Sequence, residues 1–341
     1  MAVVGLLTAG GDCPGLNAVI RGVVGRAVEH DMEVVGIRDG WQGLMQDRTT
    51  RLDRETVRGI LGRGGTILGT SRMDPFVHGD GLDSCQPAIS RNGIDVLVVV
   101  GGDGTLRSAM GLANQGLPVI GVPKTIDNDI EGTDITFGFA TAVQIATDAI
   151  DRLATTAEAH NRVIIVEVMG RTKGWIATHA GIAGGADYIL IPERPYDIDH
   201  VVQTLRSRHR SGHRYSIVVV GEGIDPPPGY TADKTKTDEF GFERLGGVGY
   251  QVAAAIEDAT RFETRVSVLG HIQRGGTPVA SDRVLATRLG VSAADFAQQG
   301  LTNVMTAVRG TEIVPVPIED ATSGIRGVPD VLYRTASTFF G

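Results

Sequence analysis

The stretch VLVVVGGDGTL, Val96 to Leu106, decides how this chain reads. An unbroken apolar run rich in valine marks a strand buried on both faces, as in parallel sheets covered by helices. The run stops at Gly101, Gly102, Asp103, Gly104 and Thr105, which set one carboxylate among residues with almost no side chain. In open α/β sheets ligands bind beyond the carboxyl ends of the strands, so bare backbone and a single charge at that point predict a binding loop.

The same theme recurs along the sequence. AVVGLLTAGGD (2–12) reads as a strand with a glycine turn, and LNAVIRGVVGRAVEH (16–30) carries apolar residues at helical spacing. EVVGIRDG (33–40), PVIGVPKT (118–125), RVIIVEVMGR (162–171), DYILIPE (187–193) and YSIVVVGEG (215–223) are further apolar runs closed by glycine or a charge. Val143, Ala146, Ile150, Leu153 and Ala157 mark one of the helices between them. The expectation is a doubly wound α/β fold with mainly parallel sheets. Asp225 to Glu239 is polar and proline-rich and reads as a surface insertion.

At 341 residues the chain exceeds one ordinary small core, so two domains or one large α/β unit is expected. A hydrophobic content of 42% with both charge signs interspersed predicts a globular protein, and no secretory leader or membrane span is visible, which predicts a cytoplasmic location. Two cysteines, Cys13 and Cys85, form neither a disulfide framework nor a metal-ligand pattern. The net charge of -8 argues against nucleic-acid or membrane binding, so an anionic substrate must be met by local cations.

Three segments supply the candidate chemistry. In TAGGDCPG (8–15) the glycines let backbone N–H groups approach an anion, Pro14 suits a first helical turn and the next helix adds its positive end; a ligand-free β–α turn is the alternative. In GGDGT (101–105) Asp103 is a candidate Mg²⁺ ligand, or else a cap of the following helix. In PKTIDNDIEGTD (123–134), Asp127 suits a base that takes a hydroxyl proton and Asp129 a metal contact; the competing reading is a turn of Asp and Asn side chains bonded to their own backbone. Arg171, Arg265, His271 and Arg274 are the cations expected to meet an anion, unless they serve surface salt bridges or, for His271, the core.

The series GGDCPGLNAVIRG, GGTILGTSR, GGDGT, PKTIDNDI, AIDRL, VEVMGR, GEG and VLGHIQRGGTPVASDRVLA resembles the bacterial-type 6-phosphofructokinases over essentially the whole chain. The resemblance implies two Rossmann-like domains with the active site in the cleft between them. One spans 1–138 plus 278–326 and binds donor and Mg²⁺; the other, 139–277 plus 327–341, binds fructose 6-phosphate. By the same resemblance Asp127 is the base on the sugar 1-hydroxyl, Thr125 steadies the moving phosphoryl group, and Arg72 and Arg171 lie near it. Gly11, Arg72, Met73, Gly101, Gly102, Asp103, Gly104, Thr105 and Lys124 would border the phosphoryl donor, with Mg²⁺ at Asp103 and Asp129. Met169, Gly170, Glu222, His271 and Arg274 would contact the sugar phosphate. Arg162 and Arg265 would reach it from a neighbouring subunit of a homotetramer.

The donor signals conflict. A glycine at position 104 leaves room for ATP, whereas aspartate there accompanies pyrophosphate use in the family; lysine at position 124 is commonest in pyrophosphate users. Gly104 weighs more, because steric exclusion of a nucleoside is decisive and an extra lysine can be tolerated, so the expected co-substrate is ATP and the alternative is pyrophosphate. Arg21 and Arg54 match family effector positions while Gly25 and Ala154 do not, which predicts weak or altered effector control. The basic run 206–214 is either an anion site or a solvated helix end. NAD and lipid kinases share GGDGT but lack the other motifs, and a non-catalytic sensor would be expected to have lost Asp127 or Arg171.

Overall fold

The computed structural model describes residues 1–231 and 245–341; the part of the predicted insertion from 232 to 239 lies outside the described residues. In chain order the elements begin with β1 (Val3–Thr8), α1 (Leu16–Glu29), β2 (Glu33–Ile37), α2 (Gly40–Met45), β3 (Thr49–Leu52), α3 (Leu82–Asn92), β4 (Val96–Gly101), α4 (Asp103–Asn114), β5 (Val119–Thr125) and β6 (Phe137–Gly138). There follow α5 (Phe139–His160), β7 (Val163–Val168), α6 (Trp175–Ala183), β8 (Tyr188–Leu190), α7 (Ile198–Arg210), β9 (Ser216–Gly221), α8 (Val248–Thr260) and β10 (Thr264–Val268). After a 3₁₀ turn at Gly270–Arg274 come α9 (Ala280–Gln298), β11 (Val304–Arg309), β12 (Glu312–Pro317), α10 (Ile318–Ala321) and α11 (Asp330–Ser337).

The chain divides into two compact units, one of Met1–Thr141 with Arg274–Ile325 and one of Ala142–Gln273 with Arg326–Gly341. In the first unit the sheet runs β12-β11-β5-β4-β1-β2-β3, with β6 paired to β5. Every pairing is parallel except the two at the margins, β2 with β3 and β11 with β12. Those two strands escaped the sequence reading because they are polar or alternating rather than continuously apolar, as befits edges with solvent on one side. The sheet's interior is aliphatic, with Leu7, Leu97, Val99, Leu106 and Leu112 inaccessible to water.

The second unit holds a smaller parallel sheet, β10-β7-β9-β8, around a core that includes Ile165, Val218, Val252 and Ile256. Its α5 stretch fits the helical spacing read from sequence, with Ala146, Ile150 and Ala157 fully buried. The basic run lies at the end of α7 and beyond it, where Arg208 pairs with Asp187 at 2.6 Å and His209 stacks on Phe262.

Candidate active site

In the first sheet the winding reverses at β1, which leads to β2 on one side and has β4 on the other. That switch point is where α/β sheets open a crevice beyond the strand ends. Register sets the three motif loops side by side there: Thr8 lies opposite Val100, and Gly101 opposite Pro123. The loops are also in near contact. A Cβ on Gly10 would lie 3.1 Å from Thr105 Oγ1 and 3.8 Å from Lys124 Nζ.

The first loop is pinned by its neighbours. Gly10 N–H donates to the Ser71 carbonyl at 2.9 Å, and Thr70 Oγ1 donates to the Gly10 carbonyl at 2.6 Å. Thus GGTILGTSR, which ends at Arg72 and leads to Met73, shapes the cradle, a role for Thr70 and Ser71 that no sequence signal announces. Pro14 does not open the helix as expected. α1 starts at Leu16 behind Gly15, whose φ of +112° is open to glycine and strained for other residues.

Arg274 packs against the same cradle. Its Nη1 donates to the Asp12 carbonyl at 3.3 Å, its Nε is buried with no hydrogen-bond partner, and a Cβ on Gly11 would come within 2.7 Å of Nη1. Lys124 is 3% exposed and donates to the Gly11 carbonyl. Burial, aided by Arg274, pushes its ammonium pKa down, while Cys13, Asp127 and Asp12 oppose that shift. The buried Cys13 thiol is pushed up to about 12 by desolvation. It is therefore no nucleophile at neutral pH.

Asp103 is the first residue of α4, behind Gly102, and makes no capping hydrogen bond; its two oxygens instead accept from Arg107 Nε at 3.0 and 3.1 Å. The cap alternative is thereby corrected to an ion pair within one helix. A Cβ on Gly104 would meet nothing within 4 Å, so open space lies over that residue.

Beyond β5, Asp127 N–H donates to Thr125 Oγ1 at 3.0 Å, and Asn128 adopts a left-handed φ of +53°. Asn128 Oδ1 accepts from Thr136 N at 3.0 Å, while Thr136 Oγ1 donates to the Thr125 carbonyl at 2.8 Å. The Asn128 side chain thus bonds the Thr136 backbone eight residues on, beyond its own turn, and Asp127 bonds Thr125 through its backbone N–H. Asp127 is 4% exposed and its Oδ1 is buried without a hydrogen-bond partner, which leaves that oxygen to a group the described residues do not supply. Asn128 and Thr136 were not singled out in the sequence; an Asn between two Asp residues was the available signal.

No group of three or more His, Cys, Asp or Glu residues among the described residues forms a ready cation cage. Mg²⁺ is commonly held by one or two carboxylates together with substrate phosphates and water, and the Asp103 carboxylate, 30% exposed in the first turn of α4, fits that mode.

In the second unit Met169, Gly170 and Arg171 follow β7, and Glu222 follows the adjacent β9. Glu222 N–H donates to the Val168 carbonyl at 2.9 Å and Glu222 Oε1 accepts from Arg171 N at 3.0 Å, which joins these residues at one sheet edge. Gly170, at φ +139°, is required because a Cβ would strike the Lys173 carbonyl at 2.5 Å. His271 is exposed beyond the carboxyl end of β10, which overturns its reading as a core histidine. Arg162 and Arg265 are not brought to this edge. They sit at the amino ends of β7 and β10, both paired with Glu263, and the six residues of β7 put them roughly 20 Å from Met169.

A family model described as phosphofructokinase matches residues 3–297. The chain belongs to the phosphofructokinase family. It is 51% identical over 98% of both chains to an ATP-dependent 6-phosphofructokinase 3 of Streptomyces coelicolor. It is also 52% identical, over 99% of both, to a pyrophosphate–fructose 6-phosphate 1-phosphotransferase of the same organism. Among solved structures, Pichia pastoris phosphofructokinase in the T-state superposes with a TM-score of 0.83 at 32% identity, over 94% of this chain and 35% of that longer one.

Proposed function

We propose that this protein is an ATP-dependent 6-phosphofructokinase that transfers the γ-phosphoryl group to the 1-hydroxyl of fructose 6-phosphate. The observation that carries the chemistry is the buried, unpartnered Oδ1 of Asp127 next to Thr125. Asp127 takes the hydroxyl proton as the sugar oxygen bonds to the γ-phosphorus and ADP leaves, so the proton ends on the carboxyl group and no covalent enzyme intermediate forms. Thr125, Arg72 and Arg171 steady the moving phosphoryl group, and bidentate guanidinium contacts suit its oxygens. Met169, Gly170, Glu222, His271 and Arg274 hold the sugar phosphate. Asp103 and Asp129 would hold Mg²⁺, which supplies neutralising charge to the donor phosphates.

The open space over Gly104 favours a nucleotide donor, in keeping with the ATP-dependent relative from Streptomyces. Lys124, held at the cradle by the Gly11 carbonyl, is the observation that favours pyrophosphate, in keeping with the second relative from that organism. Arg162 and Arg265 face away from their own chain's Met169–Glu222 edge, which supports a homotetramer in which they serve a neighbour's 6-phosphate. A cytoplasmic, glycolytic role completes this reading; no described helix is long and apolar enough to cross a membrane.

Initial rates of fructose 1,6-bisphosphate formation with Mg²⁺ and either ATP or pyrophosphate test the proposal. Turnover with ATP alone is expected. Turnover with pyrophosphate alone would transfer the donor assignment to Lys124, and turnover with neither would overturn the kinase reading.

A further inference from the structure

Asp282, in the first turn of α9, is a carboxylate 1% exposed in an otherwise aliphatic interior, and no step above uses it. A charge so deep persists only where donors converge on it. They come from a different helix. Thr141 donates to Asp282 Oδ2 through both its N–H, at 2.7 Å, and its hydroxyl, at 2.5 Å. These are groups at the start of α5, whose first N–H groups have no partner within their own helix. Thr141 Oγ1 in turn accepts from Val279 N at 3.1 Å, which closes the knot back onto the approach to α9.

The segment so anchored is also the support of the catalytic loop. Phe137 and Gly138 form β6, registered opposite Lys124 and Thr125. Thr136, one residue earlier, bonds both the Thr125 carbonyl and Asn128 Oδ1. Glycine is required at position 138, where φ is +93° and a Cβ would come within 2.6 Å of Cys13 Sγ, so this strand packs directly on the Cys13 side chain. The residues from 136 to 141 therefore form a short brace, tied to Thr125 at one end and to Asp282 at the other.

We propose that Asp282 is a positioning residue for phosphoryl transfer, capping α5 from α9 and thereby fixing, through β6, where Thr125 and Asp127 stand. This rests on the function proposed above. Misplacement of a reacting group by about 1 Å can cost on the order of a hundredfold in rate, so the loss falls on turnover. Of the proposed sugar-phosphate contacts, Met169, Gly170, Glu222 and His271 belong to the other unit and Arg274 to this one, so the loss in substrate affinity is smaller than the loss in turnover.

The test compares steady-state kinetics of wild type, Asp282→Asn, Thr141→Val and Thr141→Ser with fructose 6-phosphate and the better donor, beside the melting temperature of each. Asp282→Asn keeps the shape but removes the negative charge that the Thr141 donors and the start of α5 face. It is expected to lower kcat at least about tenfold with the KM for fructose 6-phosphate within about twofold. Thr141→Val should shift kcat the same way, and Thr141→Ser, which keeps the hydroxyl, should restore it. In an Asp127→Ser background Asp282→Asn should cost little more, because both act on one step. Unchanged kcat in Asp282→Asn and Thr141→Val, or losses that merely follow the folded fraction, would overturn the inference. Should Asp282→Asn fail to fold, the Thr141 pair decides alone. Wild type inactive with either donor would instead sink the proposed function, an outcome separable from equal activity of wild type and variants.

Discussion

Asp127 is separated from β5 only by Ile126, with one oxygen left unbonded in a buried site, and the consequence at this scale is a kinetic one. Replacing it by serine is expected to lower kcat by about a hundredfold or more, the usual worth of a positioned base, with the KM for fructose 6-phosphate changed only a few-fold. Steady-state assays check it, and survival of turnover within roughly tenfold would remove Asp127 from the role of base. Gly104 gives a second residue-scale expectation. Its missing Cβ faces open space, so Gly104→Asp should fold with an unchanged melting temperature while activity with ATP falls and activity with pyrophosphate does not. A matching fall with both donors would show that position 104 does not sort them.

At the scale of elements, α1 and α9 approach so closely that two glycines are obligatory. A Cβ on Gly22 would lie 2.7 Å from the Thr287 carbonyl oxygen, and one on Gly290 2.5 Å from that of Val19. Neither obstacle can move away as a flexible side chain could, so Gly22→Ala or Gly290→Ala should each cost about 1–3 kcal/mol, seen as a lowered midpoint in chemical unfolding. The central elements were legible in the sequence because burial on both faces writes long apolar runs and helical spacing: β1, β4, β5, β7 and β9 all fall within the quoted stretches. β3 and β12 were not, because TTRL and EIVPVP carry the polar pattern of sheet margins. Among the candidate residues, Asp127 and Lys124 could be read from their setting after a strand, whereas the bracing by Thr70, Thr136 and Asp282 joins segments far apart in the chain and leaves no local mark.

For the whole molecule, buried acids with raised pKa values set an alkaline limit. Cys13, Tyr196 and Tyr333 are each pushed up to about 12, chiefly by desolvation. The unfolded chain releases these protons near the ordinary 9.0 for cysteine and 10.0 for tyrosine, while the folded chain still holds them. The unfolded state therefore binds fewer protons in that window, and stability must fall as pH rises from about 9 towards 12. Melting temperatures at pH 8 and pH 10.5 should show the loss, and Cys13→Ala should reduce its slope; a flat profile would contradict burial of these groups. The division into units is only partly written in the sequence. One boundary, at Thr141 and Ala142, lies inside the continuous helix α5, where no run of Gly, Pro or Ser announces it, while another falls within a 3₁₀ turn between Gln273 and Arg274, just ahead of Gly275, Gly276 and Pro278.

The sequence by itself determined the α/β class, the membership of the phosphofructokinase family and the motif loops that follow the strands. Those features depend on neighbours in the chain, on strand runs that end in glycine and carboxylate. Only the tertiary structure decided which of the candidates meet. It set Arg274 and Lys124 on the Gly11–Asp12 backbone, left Asp127 open, and put Arg162 and Arg265 at the opposite end of β7 from Arg171. The physical reason is that a hydrogen bond or ion pair between residues more than a hundred positions apart is chosen by strand order and register, which no local stretch encodes.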